Sequence, residues 1–200
     1  MRLPGFGILE GMLAPLKALV SPRRYFDQLR ELLRRYGIYI NAVIFFGAWI
    51  ASSITAFTLI LLVEAARSIA SLSVTGILLA PARALTYSII FPVIPAVLDT
   101  ILIMIGIAPF DRERPLYDVI AVRASSLLPY TLRVVLLEVR GALTLKSLIS
   151  TTMTPESLGL LALGALLTIL GLRRTMRVSW PGAVIGGLLP LSYKIILGLS

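Results

Sequence analysis

Asp99 stands at the middle of FPVIPAVLDTILIMIGIAPF, residues 91–110, an apolar stretch long enough to cross a membrane. A carboxylate at that depth is costly, so it is a candidate for a proton relay, a solute path or a buried ion pair. Three cations fall inside other apolar stretches: Arg123, Arg133 and Lys194. If the stretch carrying the two arginines runs antiparallel to that of Asp99, each lies about five residues, or ~7–8 Å, from its centre. Either guanidinium then reaches Asp99, and the candidate intramembrane ion pair is Asp99 with Arg123 or Arg133. Lys194 is read as extending along its own stem to the outer interface. Such a pair fixes neighbouring helices without any path; the alternative places Asp99 on a transport route.

Other chemistry is scarce. The chain has no histidine and no cysteine, which removes the commonest general base, the commonest zinc ligands and thiol nucleophiles. It contains no His-Glu-x-x-His, no Gly-x-Ser-x-Gly and no phosphate-binding loop. Asp99 is the lone acid near any span centre, so an aspartyl dyad would need a second copy of the chain. Neither catalysis nor a cofactor or metal is expected.

The elements that must position these residues are membrane helices. Hydrophobic residues make up 58% of the 200, charged ones 14%, and the mean hydropathy is +0.92; a soluble domain is roughly 45–50% apolar. The fold class expected is an all-α polytopic bundle, with a head at 1–36 and a five-span domain at 37–200. Spans of sufficient length run at 37–63, 86–108, 117–138, 155–172 and 181–199. Thr154, Pro155 and Glu156 read as N-cap, first helical position and early acid, and Trp180 marks an interface. SIASLSVTGILLA at 68–80 is too short to cross and suits an interfacial or re-entrant helix. Pro92, Pro95, Pro129 and Pro190 are expected to kink their helices. Gly182 and Gly186, and Gly47, Ala51 and Thr55, form small-residue seams read as packing within the monomer.

Charge supports five spans. One side would hold twelve basic residues, Arg2, Lys17, Arg23, Arg24, Arg30, Arg34, Arg35, Arg112, Arg114, Arg173, Arg174 and Arg177; the other would hold Arg67, Arg83, Arg140 and Lys146. Counting 68–80 as a crossing weakens the asymmetry to ten against six. The positive-inside rule then puts the N-terminus in the cytoplasm and the C-terminus outside. Pro4, Glu10, Pro15 and Lys17 interrupt the first twenty residues, which are therefore read as mature protein and not as a signal peptide.

SPRRYFDQLRELLRRYG predicts a helix, with Ser21 as N-cap, Pro22 at the first position and Gly37 where the membrane span begins. Tyr25, Leu29, Leu32, Leu33 and Tyr36 form an apolar stripe, and Arg23, Arg24, Arg30, Arg34 and Arg35 crowd the other face. This face is expected to contact anionic lipids of the cytoplasmic leaflet, or else to dock a protein partner. The formal charge of +9 follows from orientation, and no nucleic-acid partner is expected.

FDRERPLYDVIAVRASSLLP carries Ser125, Ser126 and Pro129 in a small-small-x-x-Pro order, and LGLRRTMRVSWPGAV carries Gly171, Leu172, Ser179 and Ala183. With the SPRRYFDQL opening, this order resembles the Yip family of Ypt/Rab-interacting membrane proteins and its prokaryotic relatives. The resemblance implies a five-span bundle with a cytosolic N-terminus. For eukaryotic members it implies binding of prenylated small GTPases. The family's tyrosine beside the small pair and the acidic, aromatic Gly-Pro element near the first span are absent here. Sixteen arginines against three lysines and no cysteine lean toward a thermophilic prokaryote, so GTPase binding is not carried over. The expectation is a scaffold or adaptor of a prokaryotic plasma membrane, with a protein partner or a second copy; the alternative is a small transporter or channel subunit.

Overall fold

The computed structural model describes residues 7–110, 116–141 and 154–199, and their side chains except at 90–95 and 197–199. Arg2, Arg112, Arg114 and Lys146, and the side chains of Pro92 and Pro95, lie outside that description. Among the described residues every regular element is a helix: α1 (Ile8–Val20), α2 (Pro22–Tyr36), α3 (Ile38–Ala70), α4 (Val74–Ile107), α5 (Leu116–Ser125), α6 (Leu128–Val139), α7 (Pro155–Thr175) and α8 (Trp180–Leu199).

The boundaries follow local chemistry. Gly37, at φ +49°, ends α2 and turns directly into α3, a conformation that costs a residue with a Cβ. Thr154 caps α7 by accepting from the Ser157 amide at 3.3 Å, with Pro155 at the first position, as the sequence predicts. Pro190 lies inside α8, which runs on through it.

Two expectations need correction. The 68–80 run is not one short helix, because α3 continues to Ala70, the chain turns at Ser71 and Leu72, and Ser73 caps α4 by accepting from the Gly76 amide at 3.0 Å. Serine's preference for the cap position outweighs the apolar continuity of the run. The 117–138 span is not one helix either: α5 and α6 bend by 50° at residues 126–127, ahead of Pro129 in the first turn of α6.

By length and composition α3 and α7 suffice to cross a membrane, and the bent α5–α6 pair makes a third span if read as one. The 33 residues of α3 extend ~50 Å, well beyond a hydrocarbon core of ~30 Å. The exterior is studded with large apolar side chains, among them Phe46, Ile50 and Ile54 on α3 and Leu98, Ile101 and Ile105 on α4, whereas Asp99, Arg123, Arg133, Glu138 and Lys194 are all buried. Apolar outside and charge inside is what a hydrocarbon solvent selects.

Close helix crossings use glycine. A Cβ on Gly47 would fall 2.4 Å from the Gly11 carbonyl carbon, so α1 lies backbone to backbone on α3. A Cβ on Gly106 would fall 2.8 Å from Gly186 Cα, which brings α4 and α8 equally close. The Gly182–Gly186 seam is thus used inside one chain. The larger of two core clusters among the described residues joins Ala14 and Ala18 of α1, Phe26 and Leu29 of α2, Ile103 of α4, Val119 of α5 and Leu172 of α7; the smaller gathers Ala56 and Ile60 of α3, Ala84 of α4 and Val134 and Leu137 of α6.

Candidate functional site

The α4–α8 crossing determines what meets Asp99. From the Gly106–Gly186 contact, Asp99 lies seven residues back along α4 and Lys194 eight residues on along α8, rises of ~10.5 and ~12 Å. The two helices are antiparallel, so both residues arrive at one level. Asp99 lies in line with Gly106 on the face of α4 that packs on α8, and the two side chains meet: Lys194 Nζ donates to Asp99 Oδ1 at 2.5 Å and Oδ2 at 2.7 Å. Arg123 of α5 donates through Nη2 to Asp99 Oδ2, and the Tyr193 hydroxyl reaches Oδ1 at 3.4 Å. Asp99 is wholly buried, with Lys194 at 1% and Arg123 at 2% exposed.

The Arg123 guanidinium carbon stands 3.8 Å from the Tyr130 ring centroid, and Lys194 Nζ stands 4.9 Å from the same ring. One aromatic ring thus serves both cations where water does not. Gly164 of α7 makes room for that ring, since a Cβ there would fall 2.4 Å from Tyr130 Cε2. Asp99 therefore ties α4 to α5 and α8, while Tyr130 of α6 closes one side.

Of the two arginines that spacing allows, Arg123 is the partner of Asp99. Arg133 is corrected: it is buried on α6, but its Nε donates to Ser157 Oγ of α7 at 2.9 Å. Ser126–Leu127 is the cause, because the bend between α5 and α6 separates the courses of the two arginines. The reading of Lys194 as an outward-reaching side chain is also corrected. Spacing alone does not offer this contact, since eight residues place Lys194 roughly 80° round α8 from Gly186.

A second charged layer was not anticipated. Glu64 of α3 pairs with Arg83 of α4 at 2.9 Å, and Arg67 of α3 pairs with Glu138 of α6 at 3.0 Å. Arg67 Nη2 also donates to the carbonyls of Glu138 at 2.5 Å and Val139 at 2.7 Å. It thereby caps the C-terminal end of α6, where the helix dipole favours a cation. Arg140 and Glu156, 2.7 Å apart, join α6 to α7 nearby.

On α2, Arg23, Arg24, Arg34 and Arg35 are exposed and Arg30 is half-buried. The apolar stripe is not free to enter lipid: Tyr25, Leu29 and Leu33 are buried in the protein's core, and Leu32 and Tyr36 pack against it. Tyr25 is hydrogen-bonded to Ser125 at 2.7 Å, and since Ser125 gives its own proton to the Ala121 carbonyl at 2.8 Å, Tyr25 is the donor. Burial pushes the Tyr25 phenol above its ordinary range. Arg174 of α7 pairs with Asp27 at 3.1 Å, and Thr175 Oγ1 donates to the Phe26 carbonyl at 3.3 Å.

Among the described residues no group of three or more His, Cys, Asp or Glu is placed to hold a metal ion. No protein-family model, curated protein or solved structure matches the chain.

Proposed function

We propose that this chain is a Yip-like membrane scaffold or adaptor without catalysis, which presents the arginine face of α2 to a protein partner at the cytoplasmic side. The five spans are α3, the 86–108 part of α4, the bent α5–α6 pair, α7 and α8, with the N-terminus inside and the C-terminus outside a prokaryotic plasma membrane. The twelve-to-four division of basic residues supports that orientation.

The observation that carries the reading is the saturation of Asp99. Its two oxygens accept from Lys194 and Arg123, cations on two other helices, and no part of it is exposed. A carboxylate serving a path must exchange its partner with a solute or proton; this one serves three helices as a tie. The mounting of α2 agrees: its apolar stripe and Asp27 bind it to the bundle, leaving a fixed basic surface.

The test is affinity purification of the tagged full chain in mild detergent, beside a variant carrying Arg23→Glu, Arg24→Glu, Arg34→Glu and Arg35→Glu. Retention of one protein by the native chain and its loss from an equally stable variant supports an adaptor. Retention of no specific protein, or of the same protein by both, overturns it.

A further inference from the structure

Helix α1 is covered on one side only. Gly11, Ala14, Pro15 and Ala18 are buried, and a Cβ on Gly11 would collide with the Val43 carbonyl of α3, so this side lies flat on the first span. The other side is a stripe of Leu9, Leu13, Leu16 and Val20, spaced i, i+4, i+7 and i+11. All four are exposed, from 45% at Leu13 to 74% at Val20.

The crossing fixes the surroundings of that stripe. Val43 and Gly47, against which Gly11 packs, stand six and ten residues beyond Gly37, a rise of ~9–15 Å into a hydrocarbon core of ~30 Å. Phe46 and Ile50 of α3, within one turn of Gly47, are exposed and apolar too. Charge agrees with this depth. The only charged residues of α1 are Glu10 and Lys17, and they pair with each other, so the helix brings no net charge into its surroundings. Helix α2, by contrast, exposes Arg23, Arg24, Arg34 and Arg35. At ~20 Å the 13 residues of α1 are too short to cross.

We propose that α1 is embedded in the hydrocarbon of the cytoplasmic leaflet, its leucine stripe against lipid acyl chains and its glycine–alanine side on α3. The head of the chain thus divides into a lipid-embedded α1 and a basic α2 at the surface. This inference rests on the proposed membrane topology and extends it to a segment that does not cross.

The chain has no cysteine, so single sites can be labelled. Leu9→Cys, Leu13→Cys and Leu16→Cys, with Phe46→Cys as lipid reference and Arg24→Cys as water reference, are each coupled to a nitroxide and reconstituted as the full chain in phosphatidylcholine–phosphatidylglycerol vesicles. All five side chains are exposed, so the labels leave the Gly11, Ala14 and Ala18 packing untouched. Power-saturation spectra compare collisions with oxygen, which concentrates in hydrocarbon, and with a nickel chelate, which stays in water. Oxygen should exceed the chelate several-fold at positions 9, 13 and 16, as at 46, and the order should reverse at 24. Chelate contact at 9, 13 and 16 with position 46 in lipid would overturn the embedding of α1 alone. Poor access of both probes at those three positions would mean that protein covers the stripe, and would overturn it too. Chelate contact at position 46 as well would overturn the topology, and this inference with it.

Discussion

Asp99→Asn keeps the volume of the side chain and removes its charge. The replacement leaves Lys194 and Arg123 facing an amide with one acceptor oxygen where the carboxylate offered two. Hydrogen bonds to a charged group contribute about 1.5–3 kcal/mol each, and two such bonds from opposite cations are weakened at once. Breaking a buried ion pair by neutralising one member costs about 3–5 kcal/mol, so both routes lead to a similar loss. For a chain of 150–250 residues each kcal/mol shifts the melting temperature by about 2–4 °C, which gives a fall on the order of 6–20 °C. The assay is thermal unfolding of the purified protein in one detergent, followed by intrinsic fluorescence. Two cations make rescue stepwise: adding Lys194→Met or Arg123→Met to Asp99→Asn should recover part of the loss, and adding both should recover most of it, because an uncharged cluster demands no counter-ion. Arg133→Met, whose side chain is held by Ser157, should add to Asp99→Asn without such recovery. A melting temperature within 2 °C of native for Asp99→Asn, or strictly additive losses with both Lys194→Met and Arg123→Met, would refute the tie.

Gly186→Leu should destabilise by at least about 1–3 kcal/mol in the same assay, since even a Cβ on the facing Gly106 would lie 2.8 Å from Gly186 Cα; an unchanged melt would contradict the α4–α8 crossing. Arg67→Ala should cost about 2–3 kcal/mol by leaving buried Glu138 without its cation and the α6 carbonyls uncapped, and Arg67→Lys should restore less than half because it cannot span all three acceptors. Tyr25→Phe should cost about 1 kcal/mol, the value of one buried hydrogen bond, and no loss would place Tyr25 away from Ser125. For the proposed topology, Ser21→Cys and Ser179→Cys should be shielded in intact cells from an impermeant thiol reagent while Ser147→Cys reacts; labelling at 179 with protection at 147 would contradict five spans.

Depth was legible in the sequence, and azimuth was not. A charge inside an apolar run fixes roughly how far along a span a residue lies, so Asp99 and Arg123 are matched by counting residues. Which side of a helix faces which neighbour depends on the crossings. Lys194 looks like a side chain near a span's end until the α4–α8 packing brings it to Asp99. Arg133 lies on the opposite side of the centre of 117–138, ten residues or ~15 Å of helical rise from Arg123 and beyond the bend at 126–127, where it meets Ser157. Helix starts with strong local chemistry, Pro22 after Ser21 and Pro155 after Thr154, were readable. The Ser73 cap was hidden inside an apolar run. The stripe of α2 has the period of a helix on any apolar surface, and periodicity cannot say whether lipid or protein covers it; here α7 and the rest of the core do. The Glu64–Arg83 and Arg67–Glu138 pairs escaped because helices longer than a bilayer carry charges past its edge, where hydropathy no longer singles them out.

Asp99, held by Lys194 and Arg123, is proposed as a tie between helices and not a station on a route. Proton and monovalent-ion flux into proteoliposomes tests it most directly, comparing the native chain with Asp99→Asn/Arg123→Met/Lys194→Met, a variant whose fold is checked by its melt. Neither protein should carry flux above protein-free vesicles. Flux through the native chain that vanishes in the folded, uncharged variant would contradict it.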